Sequence, residues 1–279
     1  MTAIHHITSV KGMVIGNDKP FVLIAGPCVM ESEKHTLMMA TALRKICEKL
    51  SIPLIYKTSF DKANRSSIES QRGLEFHESL KIFSKITSEV GLRTLTDFHE
   101  KHQASEVASV VDILQVPAFL CRQTDLLLAG GKTKKPINVK KGQFLAPEDM
   151  VNIIAKIEST NNHDIMLCER GVSFGYRNLV NDFRSLPIMA KTGKPVIFDA
   201  THSVQTPGGL GKASGGQREF VFDLARAAVA VGVAGLFIEV HDNPDHAPSD
   251  GANMVKLSEL ENMLQKLQEI DRVIKQPSE

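Results

Sequence analysis

The chain has 279 residues, 42% of them apolar and 23% charged, and Lys plus Arg (33) nearly matches Asp plus Glu (32). So even a balance excludes a global basic field for nucleic acid or a membrane surface, and the lack of Trp argues against base-stacking platforms, so any anion site must be a local cluster of cations. No run approaches the roughly 20 apolar residues of a membrane helix, the N-terminus lacks the basic start and apolar core of a signal peptide, and Cys28, Cys47, Cys121 and Cys168 show no CxxC spacing, which points to a cytoplasmic protein without a disulfide framework.

In chain order, residues 5–18 are expected to form a short β-hairpin. FVLIAGPC (21–28) reads as a strand, and TLMMATALRKICEKL (36–50) as a helix stopped by Ile52-Pro53. PLIYKTS (53–59) is the second strand, and LEFHESLKIFSKITSEVG (74–91) a helix ending on Gly91, a suitable C′ residue. Strands follow at 92–98, 113–118, 137–142, 165–171 and 195–202. The Ala-rich helix 219–235 leads into GLFIEVH (235–241), and 255–274 supplies a closing amphipathic helix. Most strands begin as β-branched apolar runs, as expected when both faces are buried. Eight strand–helix units predict an α/β chain folded as one (β/α)8 TIM barrel over residues 1–279, with the hairpin capping the barrel bottom. No GxGxxG follows the first strand, which disfavours an open dinucleotide-binding sheet.

Each strand ends on a polar residue: Cys28, Lys57, Asp97, Gln115, Lys140, Arg170, His202 and Glu239. In a barrel these ends converge at the mouth that carries the active site. Lys57, Lys62, Arg65, Lys140 and Arg170 would then form a site for two phosphate groups, with point charges and a bidentate guanidinium. Cys28, His202, Glu239 and Asp250 make a mixed thiolate, imidazole and carboxylate set suited to one divalent ion such as Zn, Fe, Mn or Co. A buried inert thiol is the other reading of Cys28, and a hydrogen-bond donor to substrate that of His202. His241, Asp242 and His246 are spare donors close by. The Gly-rich run PGGLGKASGGQRE (207–219) lacks P-loop spacing and reads as a barrel loop able to close over substrate.

Several segments resemble, in order, the 3-deoxy-D-manno-octulosonate 8-phosphate synthase family (2-dehydro-3-deoxyphosphooctonate aldolase). They are KTSFDKANRSS (57–67), QVPAFLCRQTDL (115–126), INVKKGQFLAPEDM (137–150), LCERGVSFGYRNLVND (167–182), FDATHSVQ (198–205), ASGGQRE (213–219) and GLFIEVHDNPDHAPSDG (235–251). The resemblance implies a transferase that condenses phosphoenolpyruvate with arabinose 5-phosphate, in lipopolysaccharide precursor biosynthesis. It implies that Lys57, Gln115, Lys140 and Arg170 lie near phosphoenolpyruvate and Lys62 near the reacting groups. Asn64, Arg65 and Ser66 resemble the arabinose 5-phosphate segment, with Asp97 and His99 as further pocket residues. Metal-independent members carry Asn where this sequence has Cys28, so Cys28 aligns the chain with the metal-dependent group. A homotetramer is implied by resemblance alone.

The expected chemistry joins C3 of phosphoenolpyruvate to the sugar aldehyde while water adds at C2 and phosphate leaves. A 3-deoxy-D-arabino-heptulosonate 7-phosphate synthase is the nearest alternative, but that enzyme carries a Lys-Pro-Arg-Thr type motif where KANRSS stands here. A sialic-acid-type synthase, a metal-dependent sugar-phosphate aldolase and a non-catalytic sugar-phosphate-binding barrel are more remote.

Overall fold

A computed structural model describes residues 3–65, 67–206 and 215–276. The apolar runs become eight parallel strands: β1 (Val22–Gly26), β2 (Leu54–Lys57), β3 (Arg93–Asp97), β4 (Ile113–Val116), β5 (Ile137–Lys140), β6 (Ile165–Glu169), β7 (Val196–Asp199) and β8 (Gly235–His241). Each pairs with its successor, and β1 pairs with β8 from Val22–Gly235 to Gly26–Glu239, so the sheet closes on itself. The expected (β/α)8 barrel is present.

The outer ring consists of α1 (Glu33–Leu50), α2 (Phe76–Lys85), α3 (Gln103–Val110), α4 (Thr124–Lys132), α5 (Met150–Glu158), α6 (Ser185–Ala190), α7 (Val221–Val231) and α8 (Leu257–Lys275). α1 begins earlier than its apolar pattern, because Ser32 caps it by accepting from the His35 amide at 3.1 Å. The predicted 74–91 helix is α2 followed by a π-helical turn, Ile86–Val90, which ends on Gly91 at φ 75°.

Period-two alternation divides the strand side chains into two layers. Leu23, Leu54, Leu114 and Leu167 pack outward against the helices. Val22, Ile24, Ile55, Leu95, Ile113, Met166 and Ile197 fill the barrel interior, joined by Ile7, Val10 and Ile15 from the N-terminal segment. That segment plugs the bottom as expected, but its hairpin is reduced to one antiparallel bridge in which the Ile7 and Ile15 amides each donate to the other's carbonyl at 3.0 Å. The plug leaves the upper interior positions to polar residues. Close packing of β1 on β2 requires Gly26, where an added Cβ would lie 2.0 Å from the Lys57 carbonyl oxygen.

Candidate active site

Continuing the inward alternation up each strand leads from apolar to polar side chains. Ile55 is followed by Lys57, Leu95 by Asp97, Ile113 by Gln115 and Asn138 by Lys140; Met166 and Cys168 lead to Arg170, Ile197 to Asp199 and Phe237 to Glu239. Of these, Lys57, Asp97, Gln115, Lys140 and Arg170 line a cavity of about 410 Å³ at the C-terminal mouth, where such barrels place their chemistry, and Asp199 and Glu239 are buried beneath that lining. Its lining includes Lys57, Lys62, Asn64, Arg65, Asp97, His99, Gln115, Lys140, Arg170, His202 and Asp250, which are among the residues singled out from sequence. Ser66 lies outside the described residues, as do 207–214 of the Gly-rich run; 215–216 pair with 205–206 beside the mouth.

The two lysines are held by anions behind them, and the two arginines by neutral oxygens. Lys57 Nζ lies 3.3 Å from Glu239 Oε1 and donates to Ser59 Oγ at 3.0 Å. Lys140 Nζ donates to Asp199 Oδ2 and sits 3.3 Å from the centre of the Phe237 ring. Arg170 Nη2 donates to Gln205 Oε1 at 2.9 Å and to the His202 carbonyl at 3.1 Å, while its Nε is buried without a partner. Arg65 arches over the rim, tied to the Gln71 and Pro248 carbonyls at 2.9 Å. Asn138 Nδ2 donates to Gln115 Oε1 at 3.0 Å and fixes that amide.

The soft donors converge on one side of this cavity. Donor atoms of Cys28, Glu239 and Asp250 lie within 4.8 Å of one another. Cys28 Sγ donates to Asp250 Oδ2 at 3.1 Å, and His202 Nε2 lies 3.7 Å from Glu239 Oε1. β7 ends at Asp199, so His202 stands on the short 3-10 turn after it and not on the strand. Glu239 Oε2 is buried and has no hydrogen-bond partner. Burial, then Glu239, pushes the Cys28 thiol well above its ordinary range. A buried thiol beside two carboxylates, one of which keeps an oxygen without a hydrogen-bond partner although Lys57 and Lys62 stand close by, is a donor set that a borderline divalent cation fits.

Elsewhere in the site partners outweigh burial. Burial opposes ionisation of Asp97, but the hydrogen bond from His99 Nε2 at 3.0 Å, with Lys57 and Lys62, holds it well below the usual carboxylate range. Asp199 is likewise held low against burial by His202 and Lys140. Asp250 falls to about 2, because Lys62 and His202 outweigh its desolvation. Burial disfavours the Lys62 ammonium, yet the carboxylates of Glu239, Asp97 and Asp250 together raise its pKa. Lys62 is a persistent cation among anions.

The description of the DAHP synthetase I family matches residues 4–276. The chain belongs to that family. Among its relatives, a Bradyrhizobium sp. protein named 2-dehydro-3-deoxyphosphooctonate aldolase is 60% identical over 98% of this chain and 96% of its own. Proteins of the same name from Nitrobacter hamburgensis (58% identical over 96% of this chain and 94% of theirs) and Brucella anthropi (55% over 99% of both) are similar throughout.

In this DAHP synthetase I family member, sequence reasoning overlooked three residues that organise the site. Asp199 anchors Lys140 and lies 2.8 Å from His202 Nδ1. Gln205 links Arg170 to Asp250 Oδ1, donating to the latter at 3.0 Å. Asn138 orients Gln115. The signal for Asp199 and Asn138 was the two-residue step along strands VIFD and INVK, whereas nothing in sequence spacing marks Gln205.

Proposed function

We propose that this chain is a transferase condensing phosphoenolpyruvate, D-arabinose 5-phosphate and water to 3-deoxy-D-manno-octulosonate 8-phosphate and inorganic phosphate. The observation that carries the reading is one cavity lined by Lys57, Lys140, Arg170, His202 and Asp250, with the Cys28 and Glu239 donor atoms within 4.8 Å of that of Asp250. The shared name of the three relatives and the KANRSS segment support the pentose phosphate over the tetrose phosphate of the heptulosonate synthases.

Lys57, Lys140 and Arg170 would receive the phosphate and carboxylate of phosphoenolpyruvate, with the Gln115 amide beside them. Buried Glu239 and Asp199 keep Lys57 and Lys140 in place before substrate arrives, and Gln205 does so for Arg170, so little reorganisation is needed as charge shifts. Asn64, Arg65 and Ser66 would hold the sugar phosphate at the rim, and holding two polyanions in register supplies much of the rate advantage. C3 of phosphoenolpyruvate bonds to the aldehyde carbon, whose oxygen gains a proton. The C2=C3 π pair forms that bond and leaves C2 cationic. Water adds there and loses one proton, which balances the one taken up by the aldehyde oxygen. The hemiketal then gives its hydroxyl proton to phosphate as the C2–O bond breaks and phosphate departs with that bond's electron pair. Lys62, a persistent ammonium, donates a hydrogen bond to the oxygen that gains charge; Asp97 orients His99 toward the same cavity.

Cys28, His202, Glu239 and Asp250 would hold one divalent ion, of the Zn, Fe, Mn or Co class. Such an ion supplies Lewis acidity toward the aldehyde oxygen or the attacking water. With no ion bound, burial keeps the Cys28 thiol protonated. Four unpaired, buried cysteines agree with a reducing cytoplasm, and no helix among the described residues is long and apolar enough to cross a membrane. A homotetramer belongs to the reading through family resemblance alone. Product entry into lipopolysaccharide precursors belongs to the same reading.

The test is a comparison of acceptors. Phosphate release from phosphoenolpyruvate should proceed with arabinose 5-phosphate and be far slower with erythrose 4-phosphate. The reverse preference would make the chain a heptulosonate synthase.

A further inference from the structure

A second group of donors lies outside the cavity. Glu31 stands in the loop between β1 and α1, His35 in the first turn of α1 and His241 at the end of β8. One donor atom from each lies within 4.8 Å of the others. None of the three lines the catalytic cavity. We propose that Glu31, His35 and His241 form a second divalent-cation site, for a borderline ion such as Zn²⁺ or Co²⁺, separate from the Cys28 donors.

Two further observations carry this assignment. Asp242 Oδ1 lies 2.9 Å from His35 Nε2, to which it is hydrogen-bonded, and 3.2 Å from His241 Nδ1, so a single carboxylate faces one nitrogen of each ring. Ligand histidines are commonly oriented by a carboxylate on the nitrogen that does not bind the metal. The remaining nitrogens are the ones left for a cation. His35 Nδ1 is buried with no hydrogen-bond partner, and His241 Nε2 faces Glu31 Oε1 at 2.6 Å. In the empty site the Asn243 amide donates to His241 Nδ1 at 2.9 Å. On binding, that nitrogen carries the ring proton and gives it to Asp242, and the amide of exposed Asn243 turns to water.

Two neutral imidazoles and one carboxylate make three protein ligands, which leaves a position for water on a zinc-type ion. The placement has a consequence. Glu31 follows Cys28 in the same loop, and His241 follows Glu239 on the same strand. A cation bridging Glu31, His35 and His241 therefore fastens the loop bearing one catalytic-site donor to the strand bearing another. It braces the neighbouring site without touching substrate.

Cobalt distinguishes the two sites, because only a Cys28-ligated ion gives a thiolate-to-cobalt band in the near-ultraviolet. Metal-stripped full-length protein is titrated with Co²⁺, and bound cobalt is counted after dialysis. Wild type should retain two ions per chain, while H35A and E31A each retain one and keep the thiolate band. C28S should retain one ion without that band, and C28S/H35A none. The proposal is overturned if wild type retains one ion and C28S none, or if H35A and E31A both retain as many ions as wild type; the three side chains are then a hydrogen-bonded network only. Loss of the thiolate band in wild type would instead reject Cys28 as a ligand, and the drop from wild type to H35A would still decide the second site.

Discussion

Asp199 occupies the last inward position of β7, where its carboxylate meets both Lys140 and His202. It touches neither the cavity surface nor the proposed cation directly, so its effect runs through those two side chains. Asp199→Asn keeps the size and removes the charge. We expect kcat/KM to fall by about 10–100-fold, the usual cost of removing an orienting partner, with a loss of metal affinity that equilibrium dialysis detects. Unchanged kinetics and metal content would show that Lys140 and His202 do not depend on it. Sequence alone singled out Lys57, Asp97, Gln115, Lys140 and Glu239 on their strands, because a polar side chain closing a β-branched run is conspicuous; Cys28, Arg170 and His202 stand just beyond theirs. It missed Asp199 because a buried carboxylate three residues before a motif histidine looks like part of that motif's turn. Gln205 was out of reach for another reason: its role depends on two partners, Arg170 and Asp250, that are distant in sequence.

The strands were legible as elements because burial on both faces leaves almost nothing but apolar and β-branched residues until the mouth is reached. Helix starts were less so. The apolar stripe of α1 begins at residue 36, but the Ser32 cap moves the first turn back to Glu33. In α2 the helical period continues through residue 90 while the hydrogen bonding widens into a π turn, a change the sequence pattern does not register. The β1–β2 contact gives the sharpest prediction at this scale. A methyl at residue 26 would strike the Lys57 carbonyl, which is backbone and cannot rotate away. Gly26→Ala should destabilise the chain by about 1–3 kcal/mol, as overpacking does, and should weaken phosphoenolpyruvate binding because Lys57 shifts with its strand. Denaturant unfolding and KM measure the two effects; a variant neutral in both would contradict the close approach.

The barrel as a whole is apolar at its plugged end and ionic at its open one, and its pH response follows from that division. Asp97, Asp199 and Asp250 have pKa values depressed below their ordinary 3.8, so their stabilising contribution is complete above that pH and is lost as pH falls through the folded values. Cys47 and Cys168 are raised by burial from 9.0 to about 12, so their contribution is complete below 9 and is lost as pH rises toward 12. Thermal unfolding of the metal-free protein should therefore show the highest Tm between these limits and decline on both sides. A Tm still rising above pH 9 would contradict the burial of these thiols.

We propose that one mouth, with a divalent ion, condenses two phosphorylated substrates. The most direct test is phosphate release from phosphoenolpyruvate with arabinose 5-phosphate, measured before chelation, after thorough chelation and after divalent metal is restored. The account predicts release that is abolished by the chelator and recovered with metal. Release indifferent to metal removal would contradict the role given to Cys28, His202, Glu239 and Asp250, and no release from folded, metal-replete protein would contradict the reaction itself.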